Sequence, residues 1–269
     1  LIVGPHSTRI PKLDSRAASS NFFPENSFEK YAFDPPKVIS RIGTQYLFEE
    51  LLIMINKPRA HICEKRDNQA NIWDCLPPGI NHQNMGCFGR LDKDTTGLIF
   101  MGTDGGLQSL FTNPASCCSK EYLVELHPDF SLEENSVQRV AMGLDLADGT
   151  QCRPAQLNVH VEPIVRVIER NGLKEEKSVK RVILRISEGK YHQVKRMIGA
   201  LGGHVIGLHR LSVGLFRLPS DLPLGCARLI SKVQLQKLID MFPNSPEVRG
   251  VDARKGKPKP GSSGKALKK

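Results

Sequence analysis

The 269 residues carry 38 Lys and Arg against 28 Asp and Glu, a net charge of +10, with 39% hydrophobic and 25% charged side chains. That composition suits a globular protein with apolar material for one large domain or two modest ones. Apolar runs such as LLIMI (51–55) and LIFM (98–101) are too short to cross a bilayer, and the basic excess points to a polyanionic partner, nucleic acid before a membrane surface.

Residues 1–45 are rich in Pro, Ser and Asn without a sustained period and read as an extended arm. Their first 20 residues hold Arg9, Lys12 and Arg16 against Asp14, and the chain starts at Leu1. This resembles the remnant of an organelle transit peptide and leaves mitochondrion and cytosol both open. YLFEELLIMINKP (46–58) supplies apolar residues that end in a strand-like run and a Pro stop. Residues 59–88, with Pro77, Pro78 and Gly79, suggest a long loop.

Residues 89–97, GRLDKDTTG, place Asp92 and Asp94 beside Arg90 and Lys93. Carboxylates repel nucleic acid, so an acid held among bases in a basic chain is a candidate for chemistry. Read alone, the stretch is also a polar turn with a local ion pair. On extended backbone the two side chains point to opposite faces, so only one would enter a given pocket.

GLIFM (97–101) follows as a buried strand. TDGG is a plain turn, since the Walker Lys-Ser/Thr is missing, and LQSLF suits a short helix. EYLVEL (121–126) alternates Tyr122, Val124 and Leu126 against Glu121 and Glu125, the pattern of a half-buried strand. Two apolar-alternating segments between Val165 and Ile186 flank Arg170-Asn171-Gly172, a hairpin followed by a charged insertion, with RVILRIS (181–187) as a further strand.

EGKYHQVKRMIGALGG then turns helical, because Val194, Met197, Ile198 and Leu201 recur at helical spacing before Gly202 and Gly203. From Val251 the chain holds seven Lys/Arg against Asp252, so residues 244–269 read as a disordered basic tail that adds salt-sensitive attraction to RNA phosphates. Strands with interspersed helices and few βαβ units predict an α+β fold with a largely antiparallel sheet, its catalytic domain spanning 46–243.

No GxSxG elbow or HExxH helix is present, so hydrolase readings are weak. Cys63, Cys75, Cys87, Cys117, Cys118, Cys152 and Cys226 form no CxxC pair and are odd in number, which argues against a zinc site and a disulfide framework and for a reducing intracellular compartment. What remains is an acid in a tight stretch, a tyrosine on a strand face and a cation at a helix start. Lys195 borders the apolar stripe, so its amine can reach inward while its stem packs. A lysine near Asp92 would keep that carboxylate ionised. A glycosidase built on Asp92 and Asp94 is disfavoured, because i and i+2 carboxylates diverge on extended chain.

GRLDKDTTGLIFMGTDGG, SKEYLVEL and ISEGKYHQVKRMIGALGGHVIGLHRLSVG resemble the RsuA-type pseudouridine synthases, which isomerise uridine in ribosomal RNA. INKPRA (55–60) resembles the family's NKPxG motif, with Ala60 in place of Gly. The resemblance covers roughly residues 50–240 and lies nearest the branch that acts on small-subunit rRNA. It implies the pseudouridine synthase catalytic fold, Asp92 as the catalytic aspartate, Tyr122 as the ring that stacks on the uracil, and Lys195 as the cation paired with the aspartate. It also implies that Leu208 packs against the base, that Arg90 enters the gap in the RNA stack, and that Lys57, Lys190, Gln193 and Arg196 contact RNA. Asp94 receives no role.

The implied reaction flips the nucleotide out of its stack, breaks the bond from ribose to ring nitrogen, rotates the uracil and rejoins it through carbon. Asp92 acts as nucleophile on the sugar or as base towards a glycal, two routes that stay open. No redox change occurs, so neither cofactor nor metal is expected. The partner expected is ribosomal RNA or a pre-ribosomal particle, with ribosome-assembly proteins as further candidates. Family members often carry a small RNA-binding domain first, and residues 1–45 match none. The arm, the tail or a partner protein would then select the target. The competing reading is an inactive relative kept as an RNA-binding ribosome-assembly factor.

Overall fold

A computed structural model describes residues 38–42, 45–48, 51–77, 80, 84–170 and 172–230. The tail at 244–269 and most of the arm at 1–45 lie outside them. At the arm's end the chain is already paired, since β1 (Val38–Ile42) runs antiparallel to β2 (Gln45–Phe48). The body is built on β3 (Leu52–Lys57), β4 (Gly86–Cys87), β5 (Thr96–Gly102) and β6 (Lys120–Leu126). A short pair, β7 (Leu144–Asp145) and β8 (Gln151–Cys152), precedes the long strands β9 (Gln156–Arg170) and β10 (Leu173–Ile186). β11 (Val205–Val213), β12 (Phe216–Arg217) and β13 (Ala227–Leu229) complete the set. Among the described residues three α-helices intervene: α1 (Gly105–Thr112), α2 (Ser136–Met142) and α3 (Gln193–Ala200).

Nine strands form one sheet in the order β13-β3-β5-β11-β6-β10-β9, with β12 on β11 and β4 on β5. Among the described strands only β5 and β11 pair in parallel, so the mixed, mostly antiparallel α+β architecture expected is the one found.

The central strands are apolar at successive positions because both their faces are covered. Leu51, Ile53 and Ile55 with Ile99 and Met101 join one cluster, which also takes Met197 and Ile198 of α3. Leu52, Met54, Leu98 and Phe100 join the other, under Leu107, Leu110 and Phe111 of α1. Asp104 caps α1 by accepting from the Gly106 and Leu107 amides, so TDGG is a helix start and not a free turn.

Two further expectations change. The charged stretch after Gly172 is no insertion: residues 173–186 are one strand, whose last six residues pair with β6 while the first seven pair only with β9 and Lys180 lies at a register shift between them. The expected loop at 59–88 is partly ordered. A 3₁₀ turn (Ile72–Cys75) capped by Asn71 buries Ile72 and Cys75 in the core, and β4 joins the sheet.

Candidate active site

Asp92 opens a tight turn closed by the Thr95 amide, which donates to the Asp92 carbonyl at 3.1 Å. The turn is held from inside. Lys57, 0% exposed, donates from Nζ to the carbonyls of Pro58 (3.1 Å), Lys93 (3.3 Å) and Thr95 (2.7 Å). The Ala60 amide donates to the Lys93 carbonyl at 2.8 Å, and Ala60 reaches it in the left-handed region, at φ +68°. That backbone favours glycine, which is the residue of the NKPxG motif.

Leu91, just before the turn, donates its amide to Cys63 Sγ at 3.2 Å and accepts from the same thiol at 3.3 Å. Hydrogen bonding with Cys87 holds the Cys63 thiol below its ordinary range, against the effect of burial. After the turn, Gly97 crosses β11 so closely that a Cβ would lie 2.3 Å from the Arg210 carbonyl oxygen.

The outer side of the turn faces the start of α3. Lys195 Nζ lies 3.2 Å from Asp92 Oδ2 and 2.8 and 2.9 Å from the two oxygens of Asp94. Both carboxylates therefore meet one ammonium. The expectation that only one could enter the pocket fails because residues 92–95 turn and do not run extended.

Burial pushes the Lys195 ammonium down, but its hydrogen bonds to Asp94 and Asp92 outweigh that and leave its pKa above the usual lysine value. Asp94 shows the converse: burial raises it, and Lys195 brings it below the usual carboxylate range. The other oxygen of Asp92, Oδ1, lies 3.4 Å from His192 Nε2. The Asp92 side chain is 29% exposed, so its carboxylate is braced on both sides and still open to a substrate.

Tyr122 on β6 and Leu208 on β11 are buried in the same cluster as Leu91 and Val194. Arg210 faces Tyr122 across the β11–β6 pair. Its guanidinium donates to the Leu98 carbonyl at 2.6 Å and approaches the Tyr122 hydroxyl at 3.5 Å. Among the described residues no hydrogen bond or ion pair joins Tyr122 to Asp92 or Lys195. The acid–cation pair is thus partly exposed, while Tyr122 and Leu208 lie in the core cluster that takes Leu91 and Val194, the chain neighbours of Asp92 and Lys195.

The residues expected to touch RNA divide. Arg90 is exposed and extends to Glu64 Oε1 at 2.9 Å. Lys190 is exposed, within 3.3 Å of Glu188 Oε2, and Arg196 is bonded to the Tyr191 carbonyl, to Thr150 and to Asp148. Lys57 and Gln193 are buried. Lys57 is committed to the turn, while Gln193 donates to Glu188 at 2.7 Å and accepts from the Lys190 amide at 2.9 Å, bracing the start of α3.

Reading the sequence missed His192, Arg210 and the part played by Asp94. His192 and Arg210 stand inside quoted motifs, but neither has a spacing that marks it. Among the described residues no group of three or more His, Cys, Asp or Glu side chains is placed to hold a metal ion.

A family model described as RNA pseudouridylate synthase matches residues 51–200, which hold the turn, β6 and α3. The chain belongs to that family. A ribosomal small subunit pseudouridine synthase A from Yersinia pestis is 36% identical over 196 residues, 72% of each chain. Its counterpart from Escherichia coli K12 is 30% identical over 226 residues, 83% of this chain and 85% of that one. A solved pseudouridylate synthase superposes with a TM-score of 0.58 at 33% identity, covering 72% of this chain and 77% of its own. In this pseudouridine synthase the matched segment carries both halves of the Asp92–Lys195 pair.

Proposed function

We propose that this enzyme isomerises a uridine of small-subunit ribosomal RNA to pseudouridine, with Asp92 as the group that attacks. The observation that carries the reading is Asp92, partly open and held between Lys195 and His192, while Tyr122 and Leu208 lie in the core cluster that also takes its chain neighbour Leu91. Extruding a nucleotide costs a few kcal/mol, and stacking of the freed base on an aromatic ring returns roughly 1–3 kcal/mol. Asp92 then works on the sugar as nucleophile or base while Lys195 fixes its orientation. The relatives named for the small ribosomal subunit support that substrate. Exposed Arg90 is placed on the same segment as Asp92 and serves to fill the vacated stack.

The inactive RNA-binding factor has less support, because a vestigial site gives no reason to keep two carboxylates and a lysine interlocked. Seven free thiols suit a reducing intracellular compartment. Ribosome-assembly proteins are proposed as partners that help choose the target. Among the described residues no helix is long and apolar enough to cross a membrane.

The test is Asp92→Asn, which keeps shape and removes the charge. Pseudouridine mapped in rRNA from cells carrying only this variant should lose at least one site, with turnover down roughly 10³-fold or more. An unchanged map would discard the enzymatic role.

A further inference from the structure

Tyr191 is 77% exposed, an unusual place to leave a tyrosine ring. One face lies on the His192 ring, with centroids 3.9 Å apart and planes at 17°. His192 in turn presents Nε2 to Asp92 Oδ1. The two rings therefore form a short column leading outward from the catalytic carboxylate.

The column is held in place. His192 sits in the left-handed region at φ +47°, which L-residues rarely adopt, and its ring lies between Tyr191 and Asp92. Arg196 donates to the Tyr191 carbonyl at 3.1 Å and fixes the main chain beneath the ring. Phe130, another exposed aromatic, instead packs against His127 and His204.

We propose that the free face of Tyr191 is a stacking site for the base of a nucleotide neighbouring the target uridine, in single-stranded RNA. The proposal rests on the catalytic reading of Asp92. The ribose of the target uridine must reach Asp92 itself, and His192 stands between that carboxylate and Tyr191, so the ring on the outer platform belongs to the next nucleotide. Proteins read single-stranded RNA by splaying bases onto aromatic side chains, and every base has a π-face to offer. Lys190 and Arg196 stand close to Tyr191 in the chain, each ion-paired to a carboxylate, Glu188 and Asp148, that a connecting phosphate would replace. Holding the neighbour outside while the uridine enters keeps the strand splayed at the point where it must open.

A short oligouridylate with one 2-aminopurine is the probe, because stacking quenches its fluorescence. Wild-type protein should quench it on binding. Tyr191→Ala should abolish the quench and weaken binding roughly 10-fold, while Tyr191→Phe should keep both within about 2-fold. Normal affinity and quench in Tyr191→Ala would overturn the platform, and so would lowered turnover with both unchanged, which assigns Tyr191 to propping His192. The Asp92→Asn protein run alongside separates the two readings. If it is inactive while Tyr191→Ala binds normally, only the platform falls; if it still makes pseudouridine, the catalytic assignment falls.

Discussion

Two lysines stand on opposite sides of the 92–95 turn and do opposite work. On the inner side Lys57 is sealed from water and spends its ammonium on three carbonyl oxygens, none of them a carboxylate's. On the outer side Lys195 is partly exposed and sits between two carboxylates that remain open to solvent. A buried cation bound to main-chain oxygens fixes geometry, because each lost bond leaves a buried carbonyl unpaired. A cation at the rim sets charge and orientation where the substrate arrives, and water screens its worth to stability. The turn is thus rigid from within and reactive from without.

The largest effect should come from separating the two sides by mutation. Lys57→Met keeps the volume but strands the Thr95 carbonyl, and should lower unfolding free energy by about 2–4 kcal/mol in urea titration. Lys195→Met should change stability by less than about 1 kcal/mol and lower kcat roughly 10²-fold through loss of orientation at Asp92. If Lys195→Met proved the more destabilising of the two, the division between the faces would be wrong.

Acid should find the inner side first. Thr96 begins the strand after the turn, and its hydroxyl bonds His209 Nδ1 at 2.8 Å. Burial holds the His209 imidazole neutral, with its pKa down at about 4 from an ordinary 6.5. The unfolded chain therefore binds a proton below pH 6.5 that the folded chain refuses until about pH 4. Stability should fall over that window by up to about 3 kcal/mol. His209→Gln should flatten the slope. The outer pair has the same sign in a lower window: Asp94, held below its ordinary 3.8, contributes fully above that pH and loses its share as the pH falls from there through the folded value. A pH series of urea midpoints distinguishes the two losses.

The sequence displayed the outer side better than the inner one. Asp92 and Lys195 are visible because an acid among bases and a cation on the edge of an apolar helical stripe are local patterns. The sheet was legible for the same reason: β3 and β5 are compact apolar runs, and β6 alternates Tyr122, Val124 and Leu126 with Glu121 and Glu125. Lys57 is not legible as a structural residue, since a lysine in NKP reads as surface until the strand is known to be buried on both faces. Gln193 misleads likewise, lying among exposed polar neighbours yet turning inward to Glu188. The fate of Asp94 depended on a single dihedral choice, turn against extended chain, which i and i+2 spacing leaves undetermined. β10 was split at its charged half because solvent on both sides removes the apolar alternation that marks a strand.

The smallest effect tests whether the two outer carboxylates are equivalent. Asp94 holds Lys195 at 2.8 Å and Asp92 at 3.2 Å, so distance alone would make Asp94 the principal partner. Their surroundings differ, however: Asp94 is the more exposed side chain, while Asp92 also meets His192. Asp94→Asn should cost less than about 1 kcal/mol of stability, because an exposed ion pair is worth little. The Lys195 ammonium then turns wholly to Asp92, and kcat should change by less than about 10-fold, against roughly 10³-fold for Asp92→Asn. Equal losses in the two variants would mean that the acids act as a pair; loss confined to Asp92 would leave Asp94 as the counter-charge that keeps Lys195 in reach of its neighbour.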